Sequence, residues 1–76
     1  MDELLEKIRL SRLPAAAERR RIRLNAGASL KETAEAVGVS PMTVLRWERG
    51  TEPRRTNAVA YRQLLDQLRD LKRLEY

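Results

Sequence analysis

Apolar residues recur along this chain at three- and four-residue intervals, and no stretch alternates apolar with polar long enough to make a half-buried strand. The pattern predicts helices from end to end. Over Asp2–Arg12, Leu4, Leu5 and Ile8 share one face with charges elsewhere, and Leu13-Pro14 closes the segment because a residue before proline avoids helical backbone. Pro14 is expected at the first helical position of a second helix, ahead of Ala15, Ala16, Ala17 and Glu18, which runs to about Asn25 and ends in a left-handed cap at Gly27. Ser29-Leu30-Lys31-Glu32 has the form of a capping box, predicting a third helix to about Val37, stopped by Gly38. Ser40 as N-cap and Pro41 in the first turn predict a fourth over Pro41–Arg49, ended by Gly50. After the Thr51–Thr56 loop, a final helix is expected from about Asn57 to Leu74, with Tyr61, Leu64, Leu68 and Leu71 as a stripe that needs a partner surface.

Two short helices joined by a tight turn impose steric demands that the sequence meets. The first must carry a small residue where the second crosses it, and the turn must accept a positive φ. Ala34 and Gly38 stand at those places, and Val37, Val39, Val44 and Trp47 are the apolar positions that two steeply crossing helices would share. Trp47 could stack on a base, but its spacing from Val44 and Gly50 puts it on the inner face, so it reads as core. The fold class expected is all-α: one compact helix-turn-helix domain of about five helices over 1–76, with a helical extension at 1–13, a core at 14–56 and a long C-terminal helix at 57–76.

Length and charge narrow the function. Seventy-six residues leave room for a single small core. Sixteen Lys and Arg against eleven Asp and Glu give a net charge of +5, and +4 of it lies between residues 15 and 57, which favours a polyanionic partner. Thirteen of the sixteen bases are Arg, which suits bidentate contact with phosphate or guanine, although a GC-rich genome produces the same bias. Histidine and cysteine are both absent, which excludes zinc sites built on them, disulfides, thiol nucleophiles and histidine-based triads. The carboxylates are scattered rather than paired for metal binding, so no metal, cofactor or catalytic residue is expected and the chain is not read as an enzyme. Neither a membrane span nor a secretory leader is visible, and a cytoplasmic location is expected.

The stretch from Leu24 to Pro53, and above all Gly38-Val39-Ser40, Val44 and Trp47-Glu48-Arg49-Gly50, resembles the Cro/repressor-like (xenobiotic-response-element) helix-turn-helix family. The whole is similar to small regulators of actinobacteria and their phages. The resemblance implies a lambda-repressor-like fold and a second motif helix lying in the major groove. It also implies that Glu48 pairs with Arg23 and so holds that helix in place. Two positions depart from the family pattern: Leu30 stands where many members place a Gln that clamps a phosphate or touches a base, and Thr33 replaces a usual apolar residue. Lys31 is the substitute for the missing Gln.

Pro41, Met42, Thr43 and Arg46 are then the expected base-contacting residues. Arg46 is placed to pair bidentately with guanine, or else to hold a phosphate; Pro41 and Met42 suit a thymine methyl, and Thr43 can donate, accept or touch a methyl. Phosphate contacts are expected from Ser29, Lys31, Ser40, Arg49, Arg54 and Arg55, the two serines acting first as helix caps. Within Arg19-Arg20-Arg21 one side chain is expected to face DNA and two to be solvated. The function expected is a sequence-specific double-stranded DNA-binding transcriptional regulator, a repressor above all, with no small-molecule ligand. The alternative is a protein-interaction module, such as an antitoxin-like or recombination-architectural factor, whose terminal helices bind another protein. Those helices either pack within one chain or join two protomers in a weak homodimer.

Overall fold

The computed structural model describes residues 3–5, 8 and 12–74. Glu3, Leu4, Leu5 and Ile8 are helical, as the opening pattern predicts; the other positions of that segment up to Ser11, and residues 75 and 76, lie outside the described residues. Four helices follow: α1 (Ala16–Asn25), α2 (Leu30–Val37), α3 (Pro41–Glu48) and α4 (Arg55–Leu74). Among the described residues there is no strand.

Local chemistry accounts for most of the boundaries. At the start of α2 the Ser29 hydroxyl accepts the Glu32 amide at 2.9 Å while the Glu32 carboxylate accepts the Ser29 amide at 2.9 Å. Ser40 caps α3 by accepting the Thr43 amide at 3.2 Å, with Pro41 in the first turn. Between them Gly38 takes φ +92° and returns its N–H to the Ala34 carbonyl at 2.8 Å, a left-handed backbone that a side chain would strain. The ends of α1 and α3 share one cap geometry: Ala28 donates to the Arg23 carbonyl at 3.1 Å, and Thr51 to that of Arg46 at 3.0 Å.

Three boundaries differ from expectation. Pro14 precedes the N-cap Ala15 instead of opening α1, because Ala15 is extended (ψ 151°) and the Pro14 carbonyl is bound by the Arg19 Nε–H at 2.7 Å. Helix α3 stops at Glu48, with Arg49 as its cap residue. Helix α4 starts two residues early at Arg55, since the Arg54 carbonyl already accepts the Ala58 amide at 2.7 Å.

Ile22, Ala34, Val44, Trp47, Tyr61 and Leu65 form the core, with Leu13, Leu30, Val37, Val39 and Leu68 packed around it. Ala34 and Val44 are wholly enclosed where α2 and α3 cross, as the small-residue requirement demands. The Trp47 and Tyr61 rings lie 4.8 Å apart, centroid to centroid, tilted by 38°. On α4 the buried line is Ala58, Tyr61 and Leu65, with Leu64 and Leu68 half-buried beside it and Leu71 exposed. The expected stripe therefore holds at Tyr61 and, half-buried, at Leu64 and Leu68, but it missed Leu65, which belongs at its centre, and wrongly included Leu71, which lies outside it. Leu4 and Leu5 are exposed, so they do not join this core. Thr33 is buried with its hydroxyl donating to the Ser29 carbonyl at 2.9 Å, which removes the desolvation penalty of an unpaired hydroxyl.

Candidate nucleic-acid interface

Helix α3 has a fastened rear and a free front. Its inner side buries Val44, Trp47 and Glu48. Its outer side presents Pro41, Met42, Arg46 and Arg49 to solvent, Met42 being 56% exposed, with Thr43 half-exposed at the edge. Met42, Arg46 and Arg49 follow one another at four and three residues, so they share a face. The Thr43 hydroxyl shares a hydrogen bond of 2.9 Å with Ser40 Oγ, which leaves its methyl as the freer group.

Two arginines of α1, one helical turn apart, do the fastening. Arg23 grips Glu48 bidentately, Nε to Oε2 at 2.6 Å and Nη2 to Oε1 at 3.0 Å, and its Nη1 donates to the Ala28 carbonyl at 2.9 Å. The Glu48 hydrogen bond holds the Arg23 guanidinium above its ordinary pKa against the opposing effect of burial. Arg19 is 3% exposed. It donates from Nε to the Pro14 carbonyl, from Nη1 to the Trp47 carbonyl at 3.0 Å, and from Nη2 to Glu52 Oε1 at 2.7 Å. Reading Arg19-Arg20-Arg21 as one DNA-facing and two solvated side chains therefore needs correction: Arg19 is interior, because the core-facing side of α1 brings it under carbonyls that only a multidonor fork can satisfy. Arg20 and Arg21 are exposed, and Arg21 pairs with Glu18 at 3.2 Å. The signal available in sequence was register alone, since Arg19 lies four residues before Arg23 and three before the apolar Ile22.

The remaining cations of interest are uncommitted. Lys31, Arg46, Arg49, Arg54 and Arg55 are exposed and form no ion pair among the described residues. They occupy the first turn of α2, the outer face and C-cap of α3, the loop leading into α4 and the first residue of α4. At α2 the Ser29 amide is already bound by Glu32, whose carboxyl that bond, together with the Ser29 hydroxyl, holds below the usual carboxylate range. Lys31 is what that helix start offers an anion.

Beneath the site, burial pushes the Tyr61 phenol up to about 12, with the Glu48 charge adding to the shift. Its hydroxyl has no hydrogen-bond partner among the described residues. A shallow groove of about 250 Å³ runs between the α1–α2 turn and α4, lined on its apolar side by Ala26, Ala28, Leu64, Leu68 and Leu71. No group of three or more acidic side chains that could hold a metal ion occurs among the described residues, and no helix there is long and apolar enough to cross a membrane.

The sequence profile described as helix-turn-helix matches residues 20–71, from within α1 to the later turns of α4. No curated protein and no solved structure matches the chain.

Proposed function

The chain belongs to the Cro/repressor-like, xenobiotic-response-element type of helix-turn-helix family, whose members are DNA-binding regulators, and from that premise we propose that it is a repressor acting in the bacterial cytoplasm by occupying an operator. Residues 1–76 act as one DNA-binding domain in this reading. Helix α3 lies in the major groove, with Arg46 bidentate to a guanine, Pro41 and Met42 against thymine methyls, and Thr43 at the edge of the contact. Lys31, Arg49, Arg54 and Arg55, with the Ser29 and Ser40 hydroxyls, grip the phosphates. What supports this above all is the contrast across α3: a rear held by buried hydrogen bonds, and a front whose arginines have no partner among the described residues. If three to five phosphates are neutralised per protomer, log affinity falls against log salt with a slope of about −3 to −5, doubled in a dimer.

Selection from a random duplex pool supplies the operator, and two variants then test the roles. Arg46→Ala should cost about 1–3 kcal/mol on the operator and little on random DNA, whereas Arg55→Ala should weaken both alike. Equal losses on both duplexes in the Arg46 variant would remove base readout from that residue.

A second reading rests on the groove beside α4 and the exposed Leu71 at its edge. There the terminal helices join protomers weakly or bind another protein, and Leu71→Glu abolishes function while the chain stays folded. Sedimentation of the wild type at rising concentration separates a homodimer from a monomer.

A further inference from the structure

We propose that Arg19 is a positioning residue for DNA binding: from behind α3 it sets the loop that carries Arg54 and Arg55 to the phosphate backbone. The inference rests on the reading of those two arginines as phosphate contacts. Residues 51–54 are irregular backbone between α3 and α4, and the chain must leave the recognition helix at a defined angle for Arg54 and Arg55 to reach the strand that flanks the groove. Arg19 gathers that exit. Its Nη1 bonds the Trp47 carbonyl in the last turn of α3 and reaches the Thr51 carbonyl at 3.5 Å, and its Nη2 holds Glu52 at 2.7 Å. Its Nε bonds the Pro14 carbonyl at 2.7 Å, so one planar group ties the segment before α1, the end of α3 and the loop into a single frame. The cation also faces the carbonyl end of α3, where the helix dipole favours it.

Stability alone does not explain the choice of residue. Glu52 is 67% exposed, so its attraction to Arg19 is screened by water and adds little stability; the stabilising share of Arg19 lies in its bonds to the Pro14 and Trp47 carbonyls. What an apolar side chain cannot do is fix three segments relative to one another.

Arg19→Lys separates these roles, because it keeps the net charge but offers a compact ammonium in place of the fork. Binding is measured over a salt series on the selected operator and on a random duplex, beside the Arg54→Ala/Arg55→Ala double variant. The double variant should flatten the slope of log affinity against log salt by about 2, and Arg19→Lys by about 1 to 2 with the net charge unchanged. Affinity falls by the same factor on both duplexes in each case, leaving the operator preference intact. A merely structural arginine would lower the melting temperature and leave the slope where it was. A folded Arg19→Lys chain with the wild-type slope, set against a flattened double variant, overturns the proposal alone; a double variant with the wild-type slope overturns the phosphate reading and the proposal with it. Should Arg19→Lys fail to fold, Arg19→Met is read against Arg69→Met, which removes the same charge from an exposed position of α4: a slope flattened in the first and not in the second supports the proposal, and equal slopes overturn it.

Discussion

Removing the Glu48 carboxylate is the most demanding test of how α3 is held. Its side chain is 1% exposed and that of Arg23 10%, so Glu48→Ala strands a guanidinium where water barely reaches it. Breaking one partner of such a pair costs about 3–5 kcal/mol. Here the lower end applies, since Arg23 keeps its bond to the Ala28 carbonyl and lies nearer the surface than its partner. A 76-residue domain has about 4–11 kcal/mol of stability in all, so a loss of about 3 kcal/mol removes about a quarter to three-quarters of it. With a urea dependence of about 1 kcal/mol per molar, expected of so small a domain, the midpoint falls by about 3 M. Trp47, the single tryptophan, adjoins Glu48 and is buried against Tyr61, so its fluorescence reports the transition directly. The double variant Arg23→Met/Glu48→Leu removes both charges and recovers most of the loss. A single variant that loses less than about 1 kcal/mol, or a double variant no better than the single, would show that the pair is not what fastens the helix.

Three further outcomes follow from the same geometry. The Tyr61 hydroxyl is buried without a partner, so Tyr61→Phe should equal the wild type or exceed it by up to about 1 kcal/mol at neutral pH in thermal melts; a clear loss would reveal a bond to that hydroxyl. Because the folded-state pKa of Tyr61 is raised to about 12, its contribution is intact below the unfolded value of about 10 and is lost between pH 10 and 12. The wild type should therefore destabilise more than Tyr61→Phe over that interval. Glu32 is shifted the other way, so the stability it lends is present above the ordinary carboxylate range and disappears as pH falls through its lowered value. The melting temperatures of wild type and Glu32→Gln should differ at pH 7 and converge below about pH 4; a gap that persists in acid would refute the capping role. At Gly38 an added Cβ would meet nothing within 4 Å, so Gly38→Ala pays only for left-handed backbone, about 1–2 kcal/mol, and Gly38→Asn should lose less in the same melts.

The parts of the fold that could be read from sequence are those decided within one or two turns of chain. Ser29 with Glu32, Ser40 with Pro41, and Gly38 fix their helix ends through bonds spanning three or four residues. Ala34, Val44 and Trp47 could be placed because a close helix crossing tolerates few alternatives. Arg19 could not be placed, since its acceptors on Trp47 and Glu52 lie 28 and 33 positions away and a row of arginines looks solvated until the fold brings carbonyls above it. Leu64 and Leu65 are adjacent and equally apolar; only the docking of α4 decides that the second turns inward. The register of Arg23 against Glu48, 25 residues apart, came from family resemblance, because no local pattern links such positions. The exposed side chains of α3 were placed by helical periodicity, but periodicity carries no information about which base each would meet.

The division of α3 into a bolted back and a bare front separates what the protein must preserve from what it can revise. Met42, Arg46 and Arg49 make no side-chain bond within the described residues, so exchanging them perturbs the fold by no more than about 0.5 kcal/mol each. If α3 reads bases as proposed, a lineage could rewrite its target at Met42 and Arg46, singly and in either order, while the two arginines of α1 keep the same mounting for every new legend.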